Sequence, residues 1–348
     1  MSSKLFFVKT ITYSIILLVI IGAAIIVVDP FVHYHRPWFS LAPVETDERG
    51  AQVGIARNTE YDTAMVGSSM SENFQASWFS TEPFGSKAVK LCMQGAHFAD
   101  YEVLLDEVFK HDNVKTVVFS LDNYLLMNVP AEYPTTIPEY LSNDKLTDDA
   151  DYFWNKSVAF YYLPIYLLNN IRDDFTEDYA YVWAPNYVFD KYVTRASYTP
   201  LRLLKQEDEQ PFDAYFQYSN EFIANMTPYI ESHPEVDFIF YAPPYSILYW
   251  DDSVRHGRLT AEICMLNDVY GKLLTYENVK LYYFQDRWEI ISDLDNYKDY
   301  SHYSQEINKY MAECMHDGKY ELTMDNYYDT LLDFYDTAVE YDYESAFH

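Results

Sequence analysis

The nine residues TAMVGSSMS, at positions 63–71, are a short, mostly apolar run that breaks at Gly67 into a serine-bearing turn. A run of this length, ended by a breaker, suits a strand covered on both faces, as in a parallel sheet. Four similar runs follow at Ala88–Met93, Val114–Leu121, Val236–Ala242 and Val279–Phe284. Among them, Tyr101–Lys110, Asp213–Ser232, Thr260–Tyr276 and Ser304–His316 carry apolar residues at helical spacing. Strands alternating with helices predict an α/β fold: a doubly wound, flavodoxin-like, mostly parallel five-stranded sheet. The rhythm fails from about 124 to 210, where Pro and Tyr are frequent and Leu163–Ile171 reads as a short helix. Long irregular excursions are often lids or binding loops, so this stretch is expected to be an insertion over one edge of the site.

Upstream, Ile11–Val28 reads ITYSIILLVIIGAAIIVV, without a charge. With Leu5–Val8 added, it is long enough to cross a hydrocarbon core of about 30 Å at about 1.5 Å per residue. Lys4 and Lys9 on its N-terminal flank predict a cytoplasmic N-terminus by the positive-inside rule. Ala23-Ala24 is followed by four more apolar residues and then Asp29-Pro30, which argues for an uncleaved anchor over a cleaved signal peptide. The expected organisation is a cytoplasmic segment at 1–10, a transmembrane anchor at 11–28 and a juxtamembrane linker at 29–50. An extracytoplasmic α/β domain then covers 51–322. An acidic terminal helix covers 323–348, with apolar spacing at Leu331, Leu332, Phe334 and Val339.

Composition narrows the function classes. The 54 acidic against 24 basic residues leave a net charge of −30, spread along the chain. Nucleic-acid binding needs a basic footprint and is not expected; nor is docking on anionic lipid by charge. A solvated acidic surface accounts for the excess. Cys92, Cys264 and Cys314 are an odd, widely spaced set without a CxxC, so neither a disulfide framework nor a structural zinc site is expected. His33 and His35 alternate without a nearby partner, and the Asp148-Asp149-Asp151 and Asp251-Asp252 clusters lack calcium-loop spacing, so no metal is expected. The 36 tyrosines belong mainly to packing, with a minority suited to stacking on sugar rings.

In open α/β sheets, ligands bind at the carboxyl ends of the strands, where the serines after Gly67 fall. A helix beginning just after them would favour a developing oxyanion. At the far end of the chain, Asp299-Tyr300-Ser301-His302 follows the last run and precedes a helical pattern. A serine hydroxyl becomes a nucleophile when an imidazole takes its proton and a carboxylate orients that imidazole. The two stretches each hold the residue type the other needs. A Gly-x-Ser-x-Gly elbow of the α/β-hydrolase kind is not present, since position 71 is Ser.

These blocks resemble the SGNH (GDSL-type) hydrolase superfamily. They are most similar to its membrane-anchored members associated with bacterial cell-surface polysaccharide acylation. The likeness lies in the apolar N-terminal helix, Asp29-Pro30, Gly67-Ser68-Ser69 and Asp299-x-x-His302, and reaches to about Tyr310. The resemblance implies Ser69 as nucleophile, His302 as base and Asp299 as orienting acid. Gly95, in MQGAHF, would lend its backbone N–H to the oxyanion hole. In the third block, Asp122 stands where the family carries the oxyanion-hole Asn, as Ser120-Leu121-Asp122-Asn123. Either Asn123 takes over through a shifted loop, or the hole relies on the N–H groups of Ser69 and Gly95. The implied activity is hydrolysis or O-acyl transfer on a surface glycan or teichoic-type polymer, without a cofactor, alongside a membrane acyl-export partner. The alternative is a catalytically silent module of the same fold that binds glycan or scaffolds a polysaccharide-assembly complex.

Overall fold

All five apolar runs become strands, and they lie side by side in parallel. In the computed structural model, which describes residues 3–39, 41–43, 47–128, 133–143, 145–172 and 176–348, the chain opens with a long apolar helix, α1 (Ser3–Val28). Positions 1–2 of the expected cytoplasmic segment, 40 and 44–46 of the expected linker, and 129–132, 144 and 173–175 of the expected insertion lie outside the described residues. α2 (Glu48–Asn58) leads into β1 (Thr63–Gly67), followed by β2 (Ala88–Cys92), α3 (Phe98–Val108) and β3 (Thr116–Ser120). The insertion holds α4 (Asn123–Met127), α5 (Glu139–Ser142), α6 (Ala150–Phe153), α7 (Leu163–Arg172) and α8 (Lys191–Tyr198). α9 (Phe216–Ser232), β4 (Asp237–Ala242), α10 (Ile247–Arg255), α11 (Leu259–Leu273) and β5 (Val279–Tyr283) complete the alternation. The chain ends through α12 (Trp288–Ile291), α13 (Gln305–His316), β6 (Glu321–Leu322) and α14 (Tyr327–Glu340).

The sheet order is β2-β1-β3-β4-β5-β6, parallel throughout except for β6, which runs antiparallel to β5. The expected five strands are therefore six. Every residue of β1, β2 and β3 is buried. Since successive side chains point to opposite faces, both faces of that part of the sheet are covered. Gly67, Cys92, Ser120, Ala242 and Tyr283, the last residues of the parallel strands, share one rim of the sheet.

Within the expected juxtamembrane linker, the stretch 29–33 packs into the folded body. Phe31 and Val32 are buried, and α2 already starts at Glu48. Asp29, at 1% exposure, accepts hydrogen bonds from the N–H groups of Tyr34 (2.7 Å) and His35 (3.2 Å) and from the Tyr152 hydroxyl (2.9 Å). Burial pushes the Asp29 carboxyl up from its ordinary value, and these donors oppose the shift. The Phe31 ring fits over Gly50, and the backbone of Phe31 and Val32 lies against Gly54, where a Cβ would collide with it. Two glycines one turn apart on α2 thus admit the chain leaving α1.

Candidate active site

Ser69 follows the end of β1, two residues beyond the strand's last residue, Gly67. No helix follows it, contrary to expectation: residues 68–73 form turns closed by Ser71 N–H to Ser68 O (2.9 Å) and Phe74 N–H to Ser71 O (3.1 Å). A helix dipole is therefore not available to Ser69. The turn is held from three sides instead. Tyr303 Oη and Asn308 Nδ2 each donate to Met70 O at 3.0 Å. Buried Lys90 donates to the carbonyls of Glu72 (2.8 Å) and Phe74 (2.9 Å). From the insertion, Trp183 Nε1 donates to Ser69 O at 2.9 Å, while the amides of Trp183 and Ala184 bond to Asn73 Oδ1.

The Asp-x-x-His segment lies in a tight loop between α12 and α13, pinned where Tyr297 bridges Tyr303 in antiparallel fashion. Asp299 Oδ1 accepts the backbone N–H groups of Ser301 (2.9 Å) and His302 (2.8 Å), a local turn that carboxylates favour. The same carboxylate lies 2.9 and 3.0 Å from His302 Nδ1. On the other side of the ring, His302 Nε2 is 3.0 Å from Ser69 Oγ. With Nδ1 protonated toward Asp299, the Nε2 lone pair accepts the Ser69 hydroxyl proton. Although burial opposes it, the hydrogen bond and charge of His302, joined by Lys298 Nζ at 2.7 Å, hold the Asp299 carboxyl well below the usual carboxylate range. The Trp183 and His302 rings stand perpendicular to each other with centroids 5.6 Å apart, and Lys298 lies over the Trp183 and Tyr187 rings.

Ser69 and His302 open into a cavity of about 500 Å³ that Gly95 and Asp122 also line. Its further wall is aromatic, with Tyr124, Tyr215, Tyr245, Tyr249 and Tyr300. Gly95 adopts φ +58° with nothing within 4 Å of where a Cβ would stand, so its backbone faces open space. The N–H groups of Ser69 and Gly95 have no acceptor among the described residues.

Compared with known proteins, the chain matches no family model, no curated protein and no solved structure.

Asn123 is corrected as an oxyanion-hole candidate. It is fully buried and does not line the cavity; its Oδ1 accepts from Gln285 Nε2 (2.8 Å), and its Nδ2 faces Glu262 (3.4 Å). Glu262 also accepts from Tyr249 Oη and Ser253 Oγ at 2.9 Å and Arg258 Nε at 3.0 Å, so the Asn123 amide belongs to the scaffold behind the cavity wall. Asp122 is the residue of that block that reaches the cavity. It accepts from Ser120 Oγ (2.8 Å) and makes a short hydrogen bond with Ser68 Oγ. Burial pushes its carboxyl up, against those two hydroxyls and the charge of His302. Trp183, Lys298 and the Asp122–Ser68 contact were not singled out from sequence. A tryptophan within an irregular stretch carries no spacing that would mark it.

Proposed function

We propose that the chain is a serine-dependent acyl-ester hydrolase or O-acyltransferase of the SGNH kind. The observation that carries this reading is the continuous chain Ser69 Oγ, His302, Asp299, with hydrogen-bond distances of 3.0 and 2.9 Å, opening into a cavity. The 2-1-3-4-5 order of the parallel strands supports a flavodoxin-like sheet, in which ligands gather at the switch point beside β1. Ser69 Oγ attacks the ester carbonyl as Nε2 takes its proton, forming a tetrahedral oxyanion. The N–H groups of Ser69 and Gly95, which have no acceptor among the described residues, would receive that charge. Collapse breaks the ester C–O bond, and Nε2 returns the proton to the leaving alcohol, leaving an acyl-serine. Water or an acceptor hydroxyl, deprotonated by the same nitrogen, then releases the acyl group. Asp299 keeps the tautomer and stabilises the imidazolium.

The tyrosine wall suits the apolar faces of a pyranose, and α1 is long and apolar enough to cross a membrane. Both support action on a cell-surface polysaccharide or teichoic-type polymer, with Lys4 and Lys9 keeping the N-terminus cytoplasmic and an acyl-export protein supplying the donor. One feature favours the silent, glycan-binding alternative: Asp122 offers the cavity a carboxyl where an Asn donor would serve. Treating the detergent-solubilised full chain with a fluorophosphonate probe and p-nitrophenyl acetate separates the two. Labelling and turnover abolished by Ser69→Ala and by His302→Ala are the expected results. An unlabelled wild-type protein that still binds glycan overturns the enzymatic reading.

A further inference from the structure

The first eighteen described residues of α1, Ser3–Ile20, are exposed all round, and burial begins only near Ile21 and Gly22. At about 1.5 Å per residue the bare segment measures about 27 Å, short of a hydrocarbon core of about 30 Å. A membrane crossing must therefore include the level of α1 where the folded body touches it. At that level Trp154 Nε1 donates to Leu18 O at 3.3 Å, and Phe153 and Trp154 pack against Gly22. If Lys9 stays at the cytoplasmic face, the bilayer reaches further toward the body, never less far.

The chain just beyond Trp154 has a surface matching that position. A π-helical turn at Val158–Tyr162, which also contacts α1, runs directly into α7. One side of this helix is buried at Val158 and Tyr166. On another side Phe160 (74% exposed), Pro164, Leu168 (52%) and Ile171 (78%) follow one another at helical spacing, all apolar and all in the open. From Asn155 to Arg172 there is no acidic residue, in a chain with 54 of them; the only charges are Lys156 and Arg172. An apolar stripe with Trp at its start and basic residues at its ends is the pattern of a helix lying in a membrane interface.

We propose that this stripe is a second membrane contact: the helix through α7 lies in the outer headgroup layer of the bilayer that α1 crosses, seating the body on the lipid. The occupant is lipid because α1 itself brings the bilayer to this level. Apolar burial, not charge, supplies the attraction, in keeping with an otherwise acidic surface.

The test uses the full-length chain in phosphatidylcholine vesicles at low protein-to-lipid ratio, in a Cys264→Ser background; Cys92 and Cys314 are buried. Spin labels are attached through Leu168→Cys, Ile171→Cys and, as a water-facing reference, Leu204→Cys, where the native side chain is 99% exposed. Thermal melts matching the background protein establish that each variant is folded. Collision with oxygen, which concentrates in lipid, is compared with collision with a water-soluble nickel chelate. The expected result is an oxygen-to-nickel ratio several-fold higher at 168 and 171 than at 204. A ratio equal to that at 204 places the stripe in water and overturns the proposal. Exclusion of both reagents means that a second copy or another protein covers it, and overturns the proposal equally.

Discussion

Replacing Glu72 with glutamine probes the support of the Ser69 turn, and the structure sets the size of the effect. Glu72 is fully buried three residues beyond Ser69, with Gln94 Nε2 at 3.2 Å. Burial, reinforced by the nearby Glu48 charge and opposed by the Gln94 hydrogen bond and Lys90, pushes its carboxyl up to about 9 from 4.5. In the fold Glu72 is thus a neutral acid at neutral pH, whereas in the unfolded chain it is a carboxylate. A folded value above the unfolded one means that its stability contribution is whole below pH 4.5 and drains away as pH rises toward 9. At about 1.4 kcal/mol per unit, the wild-type fold loses about 5 kcal/mol through this group by about pH 8. Glu72→Gln preserves shape and neutrality but does not titrate. It should match the wild type to within about 1 kcal/mol near pH 5, yet exceed it by about 4 kcal/mol near pH 8. With an unfolding entropy of about 2.1 cal/mol/K per residue over roughly 300 residues, that is a gap of about 6 °C in Tm. Intrinsic-fluorescence melts of the full-length chain in detergent across that range give the comparison. Parallel Tm curves, or a variant less stable at the alkaline end, refute the neutral buried acid.

The remaining predictions concern the site and the anchor. Asp299→Asn leaves the loop in place but favours the wrong tautomer of His302, and kcat for p-nitrophenyl acetate should fall by about 10⁴. Asp122→Asn replaces a titrating carboxyl with a donor. Because burial raises the carboxyl's pKa, its neutral form is lost as pH increases, so the ratio of variant to wild-type kcat should climb with pH, toward about 10². Trp183→Phe deletes the hydrogen bond to Ser69 O while keeping an aromatic ring beside His302. A loss of about 1 kcal/mol predicts a roughly fivefold lower kcat with KM unchanged, read by steady-state kinetics. Tyr152→Phe strips Asp29 of a donor and the Phe31 N–H of its acceptor (3.1 Å), and should lower stability by about 2–3 kcal/mol in denaturant titrations.

The parallel strands were legible because each is buried enough to be written almost wholly in apolar residues, and the ends shifted by only one or two positions. β6 escaped notice because two residues paired at an edge carry no periodicity. The pairing of Ser69 with Asp299 and His302 could be anticipated, since chemistry demands those residue types together and the loops fall at strand ends. The turn after Ser69 could not. Its shape comes from Lys90, Tyr303, Asn308 and Trp183, donors on distant parts of the chain that replace the expected helical hydrogen bonds. Asn123 misled because sequence adjacency to Asp122 says nothing about direction: as α4 begins, the two neighbours diverge, one into the cavity and one into the Glu262 network. The linker misled for a related reason. DPFVHYHRP looks like a spacer, yet Phe31 and Val32 find their cover on glycines of α2 that reveal themselves only in three dimensions.

The buried carboxylate at the exit of α1 makes the junction a stiff mount, not a leash. A flexible tether would let the site sweep a hemisphere and find its target by search. Here the Tyr152 hydroxyl ties Asp29 to the body, while the N–H groups of Tyr34 and His35 fold the exit segment around the same carboxylate, so turning the body against α1 would disturb this knot of hydrogen bonds. The mouth of the cavity is consequently held at one height and one bearing relative to the helix, and whatever enters it must come to that spot.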